Sequence, residues 1–276
     1  MKNFNITTKT LTFALLATSI FGCQKNDNNV TTTPDPTTGY VKIASGYANG
    51  AATKVDVYAK DSAFTGYNKL YVALTDSVTN QFVENAEVSL MPEMTMTTMS
   101  HAAPFENPSS SKAQNMLFPC SASFIMSSMG GTWSLGVSIK NLANSKSGKA
   151  MLSLKVKDPA EARMFSFVSP VDSVKYFVGL MQGAKTIVGA NDLELVVYRK
   201  ASMMSFPADS SLTISFEPTM PSMGHGSPNN VNPLHSANGH YKGKVNYTMT
   251  GTWKLAFKIS KGGTVIDSTH YFDFTF

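Results

Sequence analysis

Phe118 to Met126, FPCSASFIM, and Tyr241 to Met249, YKGKVNYTM, share one pattern: aromatic, small, small or branched, aromatic, methionine at alternate positions. Period two is the signature of a β-strand with one face buried. Each stretch runs into the same turn and tryptophan, Gly131-Thr132-Trp133 in the first and Gly251-Thr252-Trp253 in the second. Working outward, Asn68 to Val72 (NKLYV) matches Asn191 to Leu195 (NDLEL), and Met99-Ser100-His101 matches Met223-Gly224-His225. Ser127-Ser128-Met129 absorbs a slip in register before the first Gly-Gly pair. The chain is therefore an internal duplication, with copies at 40–158 and 165–276 and Asp158-Pro159 breaking the chain between them.

Both copies read as all-β. Alternation recurs over 54–58, 69–74, 86–90, 133–139 and 151–156, then over 176–180, 193–198, 212–216, 253–259 and 270–276. Turn residues separate these runs at 141–148, 189–192 and 261–263. No helical period competes, so the expected architecture is two tandem immunoglobulin-like antiparallel β-sandwiches. Each copy's single Trp starts a strand after a Gly turn and is expected to anchor a core.

Composition agrees. Of 276 residues 42% are hydrophobic and 15% charged, with 17 Phe, 10 Tyr and 2 Trp, which excludes a disordered chain and a coiled coil. The formal net charge is +5, and removal of Lys2 and Lys9 with a leader lowers it further. That is no footprint for nucleic acid. Residues 1–22 have the form of such a leader: two lysines, the apolar run Leu11 to Phe21, then Gly22 before Cys23. The run is too short to span a bilayer. It resembles a bacterial lipoprotein signal, which implies that Cys23 becomes the acylated first residue of the mature chain. Attachment to the membrane is then through lipid, and the expected location is the cell envelope, at the outer membrane, facing the periplasm or the surface. Residues 23–39 are polar and rich in Thr and Pro, a flexible tether with a reach of about 20 to 25 Å. With Cys23 lipidated, Cys120 has no partner for an intrachain disulfide and is expected to be a small core residue.

Methionine stands out at 16. Four occur in nine residues, Met91, Met94, Met96 and Met99, just before His101; the second copy has Met220 and Met223 before His225. Prolines in both stretches predict loops or edge segments. Thioethers on a loop are vulnerable to oxidation, and a physical reason to gather them with imidazoles is a soft metal ion. In extended backbone Met99 would share a side with His101, Met223 with His225, and Met94 with Met96. Met126 and Met249, ahead of the Gly-Thr-Trp turns, would add a donor from a neighbouring strand. His235 and His240 would shift the second copy toward Cu(II) or zinc.

Met-Pro-x-Met followed by Met-x-His and Pro, then the alternating aromatic strand ending in Gly-Thr-Trp, resembles the YtkA-like family of small exported β-sandwich domains, related in pattern to FixH-like proteins. The resemblance implies copper handling outside the cytoplasm, with ligand chemistry similar to Met/His-rich periplasmic copper chaperones. In the second copy Glu217 stands where Met91 does in the first. The expected function is copper binding, Cu(I) first, for buffering or for delivery to a membrane cuproenzyme or other envelope protein. The alternative is an interaction lipoprotein whose loops bind a protein or glycan without metal. No G-x-S-x-G, H-E-x-x-H or phosphate-binding Gly-rich motif occurs, and an enzyme is not expected.

Overall fold

The computed structural model describes Met1, residues 35–181 and residues 185–276. The rest of the signal sequence, Cys23 and the tether as far as residue 34 lie outside the described residues. Asp35–Phe276 forms one compact unit, and its regular elements among the described residues are strands and two three-residue 3-10 turns.

The first half contains β1 (Val41–Ala48), β2 (Thr53–Ala59), β3 (Gly66–Asp76), β4 (Ala86–Thr95), β5 (Ser100–Ala102), β6 (Phe105–Glu106), β7 (Leu117–Phe124), β8 (Thr132–Asn141) and β9 (Ser147–Leu154). One sheet has the order β1-β2-β3-β7-β6 and the other β5-β4-β8-β9, with every strand pair antiparallel. The second half contains β10 (Met164–Val168), β11 (Lys175–Met181), β12 (Gly189–Arg199), β13 (Leu212–Met220), β14 (His225–Gly226), β15 (Val231–Ala237), β16 (His240–Tyr247), β17 (Thr252–Lys261), β18 (Thr264–Asp267) and β19 (Tyr271–Thr275). Its sheets run β10-β11-β12-β16-β15 and β14-β13-β17-β18, with β19 also on β17. The strand order of the first half thus recurs in the second, and each half is an antiparallel sandwich.

Each sandwich closes on its tryptophan because the alternate apolar residues of both sheets meet there. Trp133 on β8 packs edge-on against Phe124 of the opposite sheet at 5.0 Å, and Trp253 on β17 meets Tyr247 at 5.3 Å. Both indoles are fully buried. Cys120 is buried in the first core, where burial pushes its thiol well above the ordinary range.

Of the two expected forms, loop or edge segment, the prolines take the second, each in a strand at a position paired on one side only. The Met-Pro stretches are not loops: β4 runs through Pro92 to Thr95, and β13 through Pro218 to Met220. The reason lies in where each missing N–H would point. Leu90 N, two residues before Pro92, donates to Asn107 Oδ1 at 2.8 Å, away from β8; Phe216 N donates to Asn232 Oδ1 at 3.3 Å. Each proline faces that same outer side, so no ladder bond is lost.

Candidate metal centre

At the end of the first sandwich the hairpin β4–β5 is closed by Met96 N donating to Met99 O at 2.8 Å. Its register pairs Met94 with His101, and Met94 pairs with Trp133 on the other side. Directly opposed residues in a ladder project to one face, so Met94 lies between imidazole and indole. The His101 and Trp133 rings meet edge-on at 5.4 Å. Beyond them the turn at Gly130 and Gly131 covers the end of the sandwich with bare backbone. A Cβ on Gly130 would lie 2.9 Å from Met126 Cε and 3.4 Å from Met94 Cε. One on Gly131 would lie 3.2 Å from both Met94 Cε and Met96 Cγ. Three thioether side chains therefore converge beneath two residues that carry no side chain.

His101 is the polar member. Its Nδ1 lies 2.9 Å from Ala102 O. A carbonyl only accepts, so Nδ1 carries the proton and Nε2 holds the lone pair of the neutral ring. That Nε2 is buried with no hydrogen-bond partner among the described residues. Fixing one ring nitrogen on a carbonyl while the other is left free is how metal-binding histidines are oriented. Neutral sulfur and nitrogen donors suit a soft monovalent ion better than a hard one. The donor set, the orphaned nitrogen and the glycine cradle all fit such an ion.

The second half repeats the plan in a more open form. Met220 pairs with His225 on β13–β14, His225 Nδ1 lies 2.9 Å from Gly226 O, and the ring meets Trp253 at 5.8 Å. A Cβ on Gly251 would lie 3.1 Å from Met220 Cε. Trp133 Nε1 donates to Met126 O and Trp253 Nε1 to Met249 O, each at 3.0 Å. Met220 is buried, but Met249 is 39% exposed. Ser222 occupies the place of Met96, two residues beyond the strand methionine.

The expected pairing of Met99 with His101 and Met223 with His225 does not occur. Met99 is 51% exposed while His101 is 4% exposed, and Met223, in the turn after β13, is 61% exposed. The residue brought to each histidine by the hairpin register is Met94 or Met220. His235 and His240 also lie apart from His225. His235 packs on Tyr241 at 5.3 Å, and His240 is bonded to Glu106 and Glu194. Among the described residues no three His, Cys, Asp or Glu side chains are grouped to hold a metal. Asn107 and Asn232, which cap the proline strands, had a sequence signal in the repeated Asn-Pro that their role did not follow from.

Residues 207–258 match the family described as YtkA-like. The matched segment contains Met220, His225, Met249 and Trp253, so the second cluster lies within the stretch that is similar to that family. Among solved structures, domains 5-6 of the S-layer protein SbsC are similar at 16% identity and a TM-score of 0.30, covering 85% of this chain and 96% of that one. No curated protein sequence matches the chain.

Proposed function

We propose that this is an exported, lipid-anchored protein of the cell envelope that binds Cu(I), as a buffer or for delivery to a membrane cuproenzyme or other envelope protein, rather than an enzyme. The observation that carries the reading is the buried, unpartnered Nε2 of His101 on the hairpin whose Met94 converges with Met96 and Met126 under Gly130 and Gly131. A buried acceptor with no partner is costly unless something supplies the missing interaction, and a cation does. Met94, Met96, Met126 and His101 would hold the ion in the first half. Met220, Met249 and His225 would form a shallower site in the second. Thioether ligands leave the ion exchangeable in a way that a closed cage of thiolates does not. Zinc is disfavoured, because the histidines that would have recruited it are engaged elsewhere.

The test is anaerobic titration of residues 35–276 with Cu(I) against a competing chromophoric chelator. Replacing His101 by Ala should remove one equivalent. Met94→Leu or Met126→Leu should weaken it by about tenfold or more. Met99→Leu and Met223→Leu should change nothing, since both side chains stand in solvent. Failure of the wild-type chain to compete for Cu(I) would overturn the proposal and leave the interaction lipoprotein as the surviving reading.

A further inference from the structure

Among the described residues the two sandwiches meet through two apolar clusters, a charged contact and a backbone hydrogen bond. Tyr67 of β3 packs with Val196, Tyr198 and Met181, while Ala102 of β5 packs with Phe177 and Phe206. Between these clusters lies a cleft of about 500 Å³ whose wall includes Glu106, Tyr198 and Phe206. The second half reaches β5 directly: Ala102 N donates to Met203 O at 2.9 Å. The residue next to His101 is therefore tied to a loop of the other sandwich.

At the junction His240 Nε2 lies 2.7 Å from Glu106 Oε1 and its Nδ1 lies 2.9 Å from Glu194 Oε1. Ionised carboxylates only accept, so both ring nitrogens carry protons and the ring is an imidazolium spanning the two halves. The groups facing it are Glu106 on β6, Tyr67 on β3, Glu194 and Tyr198 on β12, and Lys242 on its own strand β16. Glu106 Oε2 accepts from Tyr67 Oη and Ser121 Oγ, each at 3.0 Å. Lys242 Nζ stands 3.6 Å from Glu194 Oε1. Once His240 is neutral, Glu194 keeps a cation beside it, but Glu106 is left without one. Two further hydroxyls, Tyr198 Oη and Ser123 Oγ, are buried without partners among the described residues. Water entering an opened junction would satisfy them, so closure depends on the charged contact.

We propose that His240 is a pH-operated bolt: as imidazolium it holds the second sandwich against β5, and its deprotonation loosens that end of the junction and admits ions to the His101 cluster. The regulatory half rests on the metal reading above, whereas the bolt does not. The direction of titration agrees. The hydrogen bond to Glu106 outweighs desolvation and, with Glu194, raises the ring above its ordinary 6.5. Burial would raise the Glu106 carboxyl, but His240, Tyr67 and Ser121 outweigh it and hold it below 4.5. A raised histidine contributes fully below its unfolded value of 6.5 and loses that contribution as pH rises through its folded value. At the acid end the bolt fails when the carboxylates protonate. The apolar clusters persist throughout, so opening is local and the two halves remain joined.

The test uses the metal-free mature chain and two readouts. Exchange protection of the Ala102 amide, corrected for intrinsic rate, should fall several-fold between roughly pH 6 and pH 9 in the wild type, as the imidazolium that joins the two halves loses its proton. His240→Gln should show the low protection at both pH values, and Glu106→Gln, which keeps the bulk of the side chain, should do the same. A wild-type protection that ignores pH, or a His240→Gln protein that retains the pH response, overturns the bolt. In the second readout, with both proteins at about pH 6, His240→Gln should capture Cu(I) from its chelator complex several-fold faster than wild type. Equal capture rates with altered protection would overturn the regulation and leave the bolt standing. Absence of Cu(I) binding in any variant would sink the metal reading and its regulation together, while the amide still decides the bolt.

Discussion

Adding a single methyl group at each of the two adjacent glycines over the first cluster should have opposite consequences. Gly131 has φ 165°, extended backbone that alanine adopts freely, so the cost of Gly131→Ala is steric. Its Cβ would run into Thr95 O, and would also lie 3.2 Å from Met94 Cε and Met96 Cγ. An ordinary carbon–oxygen contact is about 3.3 Å, so the ends of β4 and β8 must part to admit it. The obstacle is backbone and cannot rotate away. Overpacking of this kind costs about 1 to 3 kcal/mol, and at about 2 to 4 °C per kcal/mol for a unit of this size the melting point should fall by roughly 2 to 12 °C. Gly130→Ala instead meets only the flexible ends of Met126 and Met94, at 2.9 and 3.4 Å. Its melting point should stay within about 2 to 4 °C of wild type, since the smaller unfolded-state entropy of alanine offsets part of the crowding. It must, however, push the Met126 methyl aside, and Cu(I) affinity should drop by about tenfold. Scanning calorimetry and chelator competition separate the two effects. A Gly131→Ala protein that melts with the wild type would refute the close approach of turn and strand. Unchanged Cu(I) affinity in both Gly130→Ala and Met126→Leu would remove Met126 from the site.

Trp133→Ala and Trp253→Ala should each cost about 3 to 5 kcal/mol, because each empties the centre of its sandwich; a denaturant midpoint equal to wild type in either variant would contradict the packing of that indole. Asp56 sets part of the acid limit of the fold: burial would raise its carboxyl, but Ser45, Lys42 and Lys54 outweigh it and hold it below 3.8. A depressed carboxylate contributes above its unfolded value and loses the contribution as pH falls through its folded value, so Asp56→Asn should flatten the decline in stability below about pH 4 seen in acid unfolding of the wild type.

Strand positions were legible wherever one face is buried and the other wet. Trp253–Ile259 alternates cleanly and forms the middle of β17. β1 escaped notice because, as an edge strand, it buries only Ala44 and Ala48. β10 is likewise a short edge strand, with Phe167 as its single buried residue. The proline strands were legible only as loops or edge segments, for a different cause: a sequence does not say which edge of a strand a residue's N–H faces, and Pro92 is harmless because its side of β4 is served by Asn107. Ligand chemistry was visible in the residue types, but not the pairing. That depends on hairpin register, and the turn joining Met96 to Met99 sets Met94 opposite His101 while sending Met99 into solvent. His240 could not have been placed from sequence at all, because its meaning comes from Glu106, 134 residues away.

What the two halves keep and what they let change together narrow the chemistry. The loop between methionine and tryptophan is three residues longer in the first half, where Ser127-Ser128-Met129 precedes Gly130-Gly131, yet the indole N–H holds the methionine carbonyl at 3.0 Å in both. A loop retained only for its shape would not be expected to reproduce one hydrogen bond across such a difference in length. What is held constant is the position of a thioether-bearing residue relative to a tryptophan whose ring also touches the histidine. The variable features all act on access: Met96 gives way to Ser222, the double glycine to a single one, and a buried imidazole to a half-buried one. Desolvation strengthens the attraction between a cation and its ligands and slows its escape. The first site should therefore release its ion more slowly than the second, and the difference follows from burial even where the donor atoms are the same.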